Sequence, residues 1–150
     1  MKKNLCCTLV LAAALGLAIA SPAFATDLSR YGAEIRKAQV SGYTLTYTLI
    51  GVPEMNVTSV MPMSSYDGGP NKSHHLMVFV TGANGRAVRD IDVGYVVTRP
   101  SGVSDGYPAF VMDGGAGTDV DLAFRGAYTI QTKIALPETE LVDSFVYDLK

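Results

Sequence analysis

Methionine and histidine side chains are concentrated in one short stretch of this chain. Four thioethers and two imidazoles fall within 23 residues, and they belong to Met55, Met61, Met63, His74, His75 and Met77. Thioethers are soft ligands that suit Cu(I), whereas imidazole suits Cu(II), Zn²⁺ or Ni²⁺. The stretch therefore predicts a transition-metal site, with copper as the first candidate cofactor.

The two histidines are neighbours in sequence, and strand geometry separates them. Side chains alternate between the two faces of a strand, so His75 is expected beside Met77 and His74 beside Leu76. The face that carries Leu76, Val78 and Val80 is the predicted core face. His75 and Met77 are therefore expected to share the opposite surface.

The loop methionines reach this surface if the chain folds back on itself. Antiparallel pairing of residues 55–63 with residues 73–81 would place Met61 opposite His75 and Met63 opposite Ser73, within reach of cross-strand contact. The predicted metal ligands are then His75, His74, Met61, Met63 and Met77.

Packing is the other interpretation of the same residues. Methionine is a flexible filler of hydrophobic cores, and Met61 and Met63 could cover the second apolar face of a central strand. A histidine at a strand entrance is usually solvated or hydrogen-bonded to backbone. This interpretation needs no metal and describes the commoner role of such residues.

Two further motifs suggest chemistry on first inspection. Residues 102–106 match the G-x-S-x-G nucleophile elbow, but both histidines lie upstream and no strand-turn-helix setting is predicted. Residues 114–121 resemble one calcium β-roll repeat, although such sites need stacked copies. Asp113, Asp119 and Asp121 could still offer oxygen ligands to Ca²⁺, but a solvated acidic turn is the favoured interpretation.

The elements that position these residues are short strands. Alternation of apolar and polar residues, together with turns rich in Gly and Pro, predicts about seven to eight antiparallel strands in a β-sandwich. Residues 52–63, which Pro53 and Pro62 interrupt, are at best an edge strand or an extended segment. Tyr128 is a candidate for a tyrosine corner. The other candidate strands cover residues 40–49, 73–81, 90–98, 107–112, 119–124, 127–136 and 140–149.

The first 25 residues are typical of a secretory signal peptide. Lys2 and Lys3 precede an apolar run, and Ala23-Phe24-Ala25 forms an A-x-A cleavage site. The predicted organisation is a signal peptide at 1–25, an N-terminal arm or short helix at 26–39 and a β-sandwich domain at 40–150. We therefore expect a periplasmic or secreted protein with no retained membrane anchor.

Cleavage changes the chemistry that the chain can offer. Cys6 and Cys7 are both removed, so disulfide and thiolate chemistry are excluded from the mature domain. The mature domain keeps ten basic and fourteen acidic residues, a net charge of −4. This charge lacks the basic footprint of a nucleic-acid-binding protein.

Several short motifs together resemble a known family. Residues 74–80 (HHLMVFV), 84–88 (NGRAV), 92–93 (DV), 100–102 (PSG) and 126–130 (GAYTI) are similar to small periplasmic domains called YtkA-like, which are related to FixH-like proteins. The resemblance implies an immunoglobulin-like sandwich outside the cytoplasmic membrane, with links to metal handling or respiratory-complex assembly. The chain differs from FixH-like members because its signal is predicted to be cleaved rather than retained.

These observations favour an exported, non-enzymatic binding module that binds or delivers copper or another transition metal. The alternative is an envelope interaction or structural accessory module without metal, which would dock a protein partner through edge strands or a face carrying Met77 and Phe79. An enzyme is not predicted, because no nucleophile, base and orienting acid form a recognisable arrangement.

Overall fold

The architecture comes from a computed structural model that describes residues 27–52 and 72–150. The predicted signal peptide lies outside the described residues. Within those two ranges, no helix is long and apolar enough to cross a membrane. The elements are a 3-10 turn at Ser29–Tyr31 and the strands β1 Ala33–Val40, β2 Tyr43–Gly51, β3 His74–Thr81, β4 Asp92–Thr98, β5 Ser104–Pro108, β6 Phe110–Met112, β7 Gly115–Val120, β8 Gly126–Ala135 and β9 Glu140–Leu149.

The nine strands form two antiparallel sheets. The five-stranded sheet has the order β1-β2-β3-β7-β6, and the four-stranded sheet has the order β5-β4-β8-β9. Apart from β1, the first order is the A-B-E-D arrangement of immunoglobulin domains, and β4-β8-β9 is C-F-G with β5 added beside C. The predicted all-β, immunoglobulin-like sandwich is therefore confirmed.

The hydrophobic core lies between the two sheets because apolar side chains alternate along the facing strands. β3 contributes Leu76, Val78 and Val80, as the sequence pattern predicts. Tyr95 of β4 is fully buried, and its hydroxyl donates a 3.0 Å hydrogen bond across the core to the carbonyl oxygen of Ala116. Antibody domains carry a buried Trp on the corresponding strand C.

The predicted tyrosine corner is present at the start of β8. The hydroxyl of Tyr128 donates to the carbonyl oxygen of Phe124 at 2.7 Å and accepts the amide hydrogen of the same residue at 3.1 Å. Ile130 follows two residues later, where antibody domains place the second cysteine of the inter-sheet disulfide. The tyrosine corner is thus present in a core where Ile130 stands at the position of that cysteine.

The N-terminal segment differs from the predicted arm or short helix. Residues 33–40 form β1, which pairs with β2 and extends the five-stranded sheet at its edge. Glu34, Arg36 and Lys37 are good helix formers, but pairing with the exposed edge of β2 decides the local structure. Charged residues are also common on edge strands.

A β-bulge in β1 turns one arginine toward the other sheet. The register shifts between Glu34 and Arg36, so Arg36 lies opposite the core residue Tyr47. Its guanidinium donates two hydrogen bonds of 2.8 Å to the carboxylate of Asp143 on β9 and lies 5.0 Å from the ring centre of Phe145. The ion pair between Arg36 and Asp143 thus connects the two sheets at one side of the sandwich.

Candidate functional site

β3 is a central strand with β2 on one side and β7 on the other. His75 lies opposite Ile50 of β2 on one side and opposite Asp119 of β7 on the other. The backbone hydrogen-bonding groups on both edges of β3 are thus used by described strands. The predicted pairing of residues 55–63 with β3, and the position of Met61 opposite His75, are therefore wrong.

The two neighbouring histidines point to opposite faces of the five-stranded sheet, as alternation predicts. His74 lies on the side of Leu76, and its Nδ1 is 2.8 Å from the hydroxyl of Ser73. That hydroxyl accepts the amide hydrogen of Leu122 at 2.9 Å. His74 is thus part of the contact between the start of β3 and the loop after β7, and the structure does not bring it together with His75.

His75 and Met77 belong to the outer face of the five-stranded sheet, the side turned away from the core. Met77 and Phe79 form a second hydrophobic cluster there with Tyr31 of the 3-10 turn, and Leu28 and Met112 pack against it. The rings of Tyr31 and Phe79 are 5.0 Å apart. Because Met77 and Phe79 are covered, the predicted docking of a partner on their face is wrong.

His75 is almost completely buried, with 2% of its surface exposed, and its two ring nitrogens differ in their contacts with the described residues. Nδ1 lies 2.7 Å from Oδ1 of Asp119, whose side chain is 10% exposed. Nε2 is buried and has no hydrogen-bond partner within residues 27–52 and 72–150. Among the described residues it is one of six buried side-chain atoms without a hydrogen-bond partner, and each such atom in a native structure calls for an explanation.

The glycines of β7 make room for the side chains of β3. A Cβ atom on Gly117 would lie 2.6 Å from Cγ of Met77 and 2.7 Å from Nε2 of His75, and one on Gly115 would lie 2.8 Å from the ring of Phe79. The imidazole of His75 and the side chain of Met77 therefore both occupy the space beside Gly117, where β7 has no side chain.

The glycine-rich segment is thus a buried strand, and its interpretation as a solvated acidic turn is wrong. Its aspartates also contact different partners. Asp119 contacts His75, while Asp121 forms an ion pair with Arg99 at 3.2 Å and accepts the amide hydrogen of Ala123 at 3.1 Å. In the part of the chain that the structure describes, no three His, Cys, Asp or Glu side chains gather into a possible metal site.

The serine of the G-x-S-x-G match lies at the start of a strand. Ser104 is the first residue of β5, and its hydroxyl lies 2.8 Å from the hydroxyl of Thr98. The segment thus opens a strand rather than the helix that follows a nucleophile elbow.

The described residues on either side of the β2–β3 connection meet beside His74. The amide of Val52 donates to the carbonyl oxygen of Ser73 at 2.9 Å, and Gly51 pairs with His74. Met55, Met61 and Met63 belong to this connection and lie outside the described residues.

Asp119 and Gly117 both lie against His75, which the sequence pattern does not predict. The sequence instead predicts Asp119 as a possible calcium ligand and Gly117 in a turn. Nothing in their local sequence points to His75, because the contact joins residues 44 positions apart. Only the pairing of β3 with β7 brings them together.

The chain matches no known protein-family model, and no curated protein and no solved structure is significantly similar to it. The resemblance to YtkA-like and FixH-like domains therefore stays a prediction.

Proposed function

We propose that this protein is an exported, non-enzymatic binding module that captures a transition-metal ion, with copper as the preferred metal. His75 supplies Nε2, Met77 supplies a thioether, and Met61 and Met63 of the β2–β3 connection supply further thioethers. His74 is left out of this ligand set because it lies on the opposite face of the sheet.

One observation carries the proposal, namely the buried Nε2 of His75 that has no described hydrogen-bond partner. Leaving a buried polar group unsatisfied costs about 1–3 kcal/mol. A bound metal ion would use the lone pair of this nitrogen and remove that cost. The neighbouring Met77 adds a soft sulfur ligand, which favours Cu(I) over harder ions.

The residue types of the β2–β3 connection support the same metal. Met55, Met61 and Met63 belong to it. The described residues that flank it, Val52 and Ser73, are hydrogen-bonded beside His74. Neutral nitrogen and sulfur donors without a carboxylate ligand suit a monovalent copper ion.

A second candidate function, docking of an envelope protein without metal, is favoured by a different observation. β9 lies at the edge of the four-stranded sheet, and Val142 and Val146 on it are 59% and 67% exposed. An exposed edge strand with apolar side chains can receive an added strand from a partner. This candidate predicts a protein that binds no copper.

A metal titration separates the two candidates. The purified protein is titrated with Cu(I), Cu(II) and Zn²⁺ against a competing chelator, together with His75→Ala and the double variant Met61→Leu, Met63→Leu. We expect Cu(I) to bind most tightly and His75→Ala to weaken it at least about tenfold, a change of about 1.4 kcal/mol. The methionine variant is expected to weaken Cu(I) binding more than Zn²⁺ binding, because it removes only sulfur ligands.

His74→Ala is the matched control, since it removes a neighbouring imidazole from the other face of the sheet. It is expected to leave the affinity unchanged within about twofold, which corresponds to less than 1 kcal/mol. Absence of binding tighter than micromolar would contradict the proposal. So would Cu(I) binding that both His75→Ala and the methionine variant leave unchanged.

A further inference from the structure

The hydrogen-bonding chemistry of Asp119 determines where the ring proton of His75 lies. An ionised carboxylate can only accept hydrogen bonds. The 2.7 Å contact between Oδ1 of Asp119 and Nδ1 of His75 therefore places a proton on Nδ1. In the neutral ring, Nε2 then carries the lone pair. A second proton on Nε2 would be a buried donor without a described acceptor.

From this geometry we infer that Asp119 is a positioning residue, which holds His75 in the Nδ1–H tautomer and presents the Nε2 lone pair to a metal ion. Asp119 itself stays outside the ligand set. A carboxylate that orients a metal-binding histidine in this way also raises the basicity of the ligating nitrogen. The inference rests on the proposed function for its metal, but the tautomer is a property of the protein alone.

Gly117 maintains the orientation that this contact requires. The imidazole must lie across β7 to reach Asp119, and it occupies the space where a side chain at position 117 would stand. A Cβ atom there would overlap both Nε2 and the Met77 side chain, so the ring would have to move. Gly115 makes the same kind of room for Phe79, which has no polar atom.

The proton position can be measured without any metal. Long-range proton–nitrogen correlation NMR of the metal-free, nitrogen-labelled protein distinguishes the two tautomers of a histidine ring, and His74→Ala assigns the signals because the chain has two histidines. We expect the Nδ1–H pattern for His75 in the wild type. Asp119→Ala is expected to lose it, and Asp92→Asn, which changes an exposed carboxylate on the other sheet, is expected to keep it.

Metal affinity provides the second measurement. Loss of an orienting carboxylate typically weakens metal binding by about 10–100-fold, so Asp119→Asn should weaken Cu(I) by this factor without abolishing binding. Gly117→Ala should disturb both the His75 tautomer and the affinity. Gly115→Ala introduces a similar clash on the same strand and should change neither, which separates the effect on His75 from a general loss of stability.

The outcomes distinguish this inference from the proposed function. An Nε2–H tautomer or a doubly protonated ring in the wild type overturns the inference, and so does an Nδ1–H tautomer that persists in Asp119→Ala. Unchanged Cu(I) affinity in folded Asp119→Asn also overturns it. If Asp119 controls the tautomer and no metal binds, the positioning role stands and the proposed metal-binding function fails.

Discussion

The hydroxyl group of Tyr128 satisfies two backbone groups of one residue. It serves both the carbonyl oxygen and the amide of Phe124 in the turn before β8. The ring is fully buried in the core, so the same side chain joins the turn to the interior. Loss of the hydroxyl alone would leave the packing intact and remove both hydrogen bonds.

At the scale of this residue, Tyr128→Phe is expected to lower the free energy of unfolding by about 1–3 kcal/mol, because two backbone groups lose a partner. Urea unfolding followed by circular dichroism measures the change. Tyr147→Phe removes a hydroxyl from a half-buried tyrosine on β9 and should cost less than about 0.5 kcal/mol. Equal losses for both variants would contradict a specific role of the corner.

At the scale of the elements, the ion pair between β1 and β9 connects the two sheets. The hydrogen bonds from Arg36 hold the pKa of the Asp143 carboxyl below its ordinary value, while burial of the carboxyl acts in the opposite direction. The folded state therefore favours the charged carboxylate more than the unfolded chain does. Its stabilising contribution is complete above about pH 4, the ordinary pKa of an aspartate.

The lowered pKa of Asp143 predicts how the free energy of unfolding changes with pH. As the pH falls through the lowered pKa of Asp143, the protein should lose the contribution of the ion pair. Asp143→Asn should be about 1–3 kcal/mol less stable at pH 7 and should lose less stability on acidification. Urea midpoints measured between pH 7 and pH 3 test this. Asp105→Asn, from a half-buried surface pair with Arg99, should cost no more than about 1 kcal/mol. A parallel acid response in wild type and Asp143→Asn would contradict the assignment.

The elements also show how far the sequence predicts this fold. Alternation correctly places Leu76, Val78 and Val80 in the core and His75 beside Met77, because the period of a strand is a local property. β1 and β7 are not predicted correctly. β1 carries helix-forming residues that pair with the edge of β2, and β7 carries glycines because side chains of β3 occupy the space above them.

The same distinction applies to the site. The metal ligands His75 and Met77 are proposed from residue type and spacing alone. Asp119 and Gly117 could not be found in this way, since their relation to His75 depends on the register between strands that are distant in sequence. The error in pairing residues 55–63 with β3 has the same origin, because local patterns do not state which strands become neighbours.

At the scale of the whole molecule, the outer face of the five-stranded sheet carries the described part of the proposed site. The 3-10 turn covers Met77 and Phe79 on this face. The described residues that flank the β2–β3 connection, Val52 and Ser73, are hydrogen-bonded next to His74. The central claim of the proposed function is that Nε2 of His75 binds one copper ion together with the thioethers of Met77 and of this connection.

X-ray absorption spectroscopy of the protein loaded with one equivalent of Cu(I) tests that claim most directly, because it identifies the atoms bound to the metal. The proposed site predicts one imidazole nitrogen and at least two sulfur ligands, with the imidazole signal lost in His75→Ala and kept in His74→Ala. A copper ion bound only by nitrogen and oxygen, or an unchanged spectrum in His75→Ala, would contradict it.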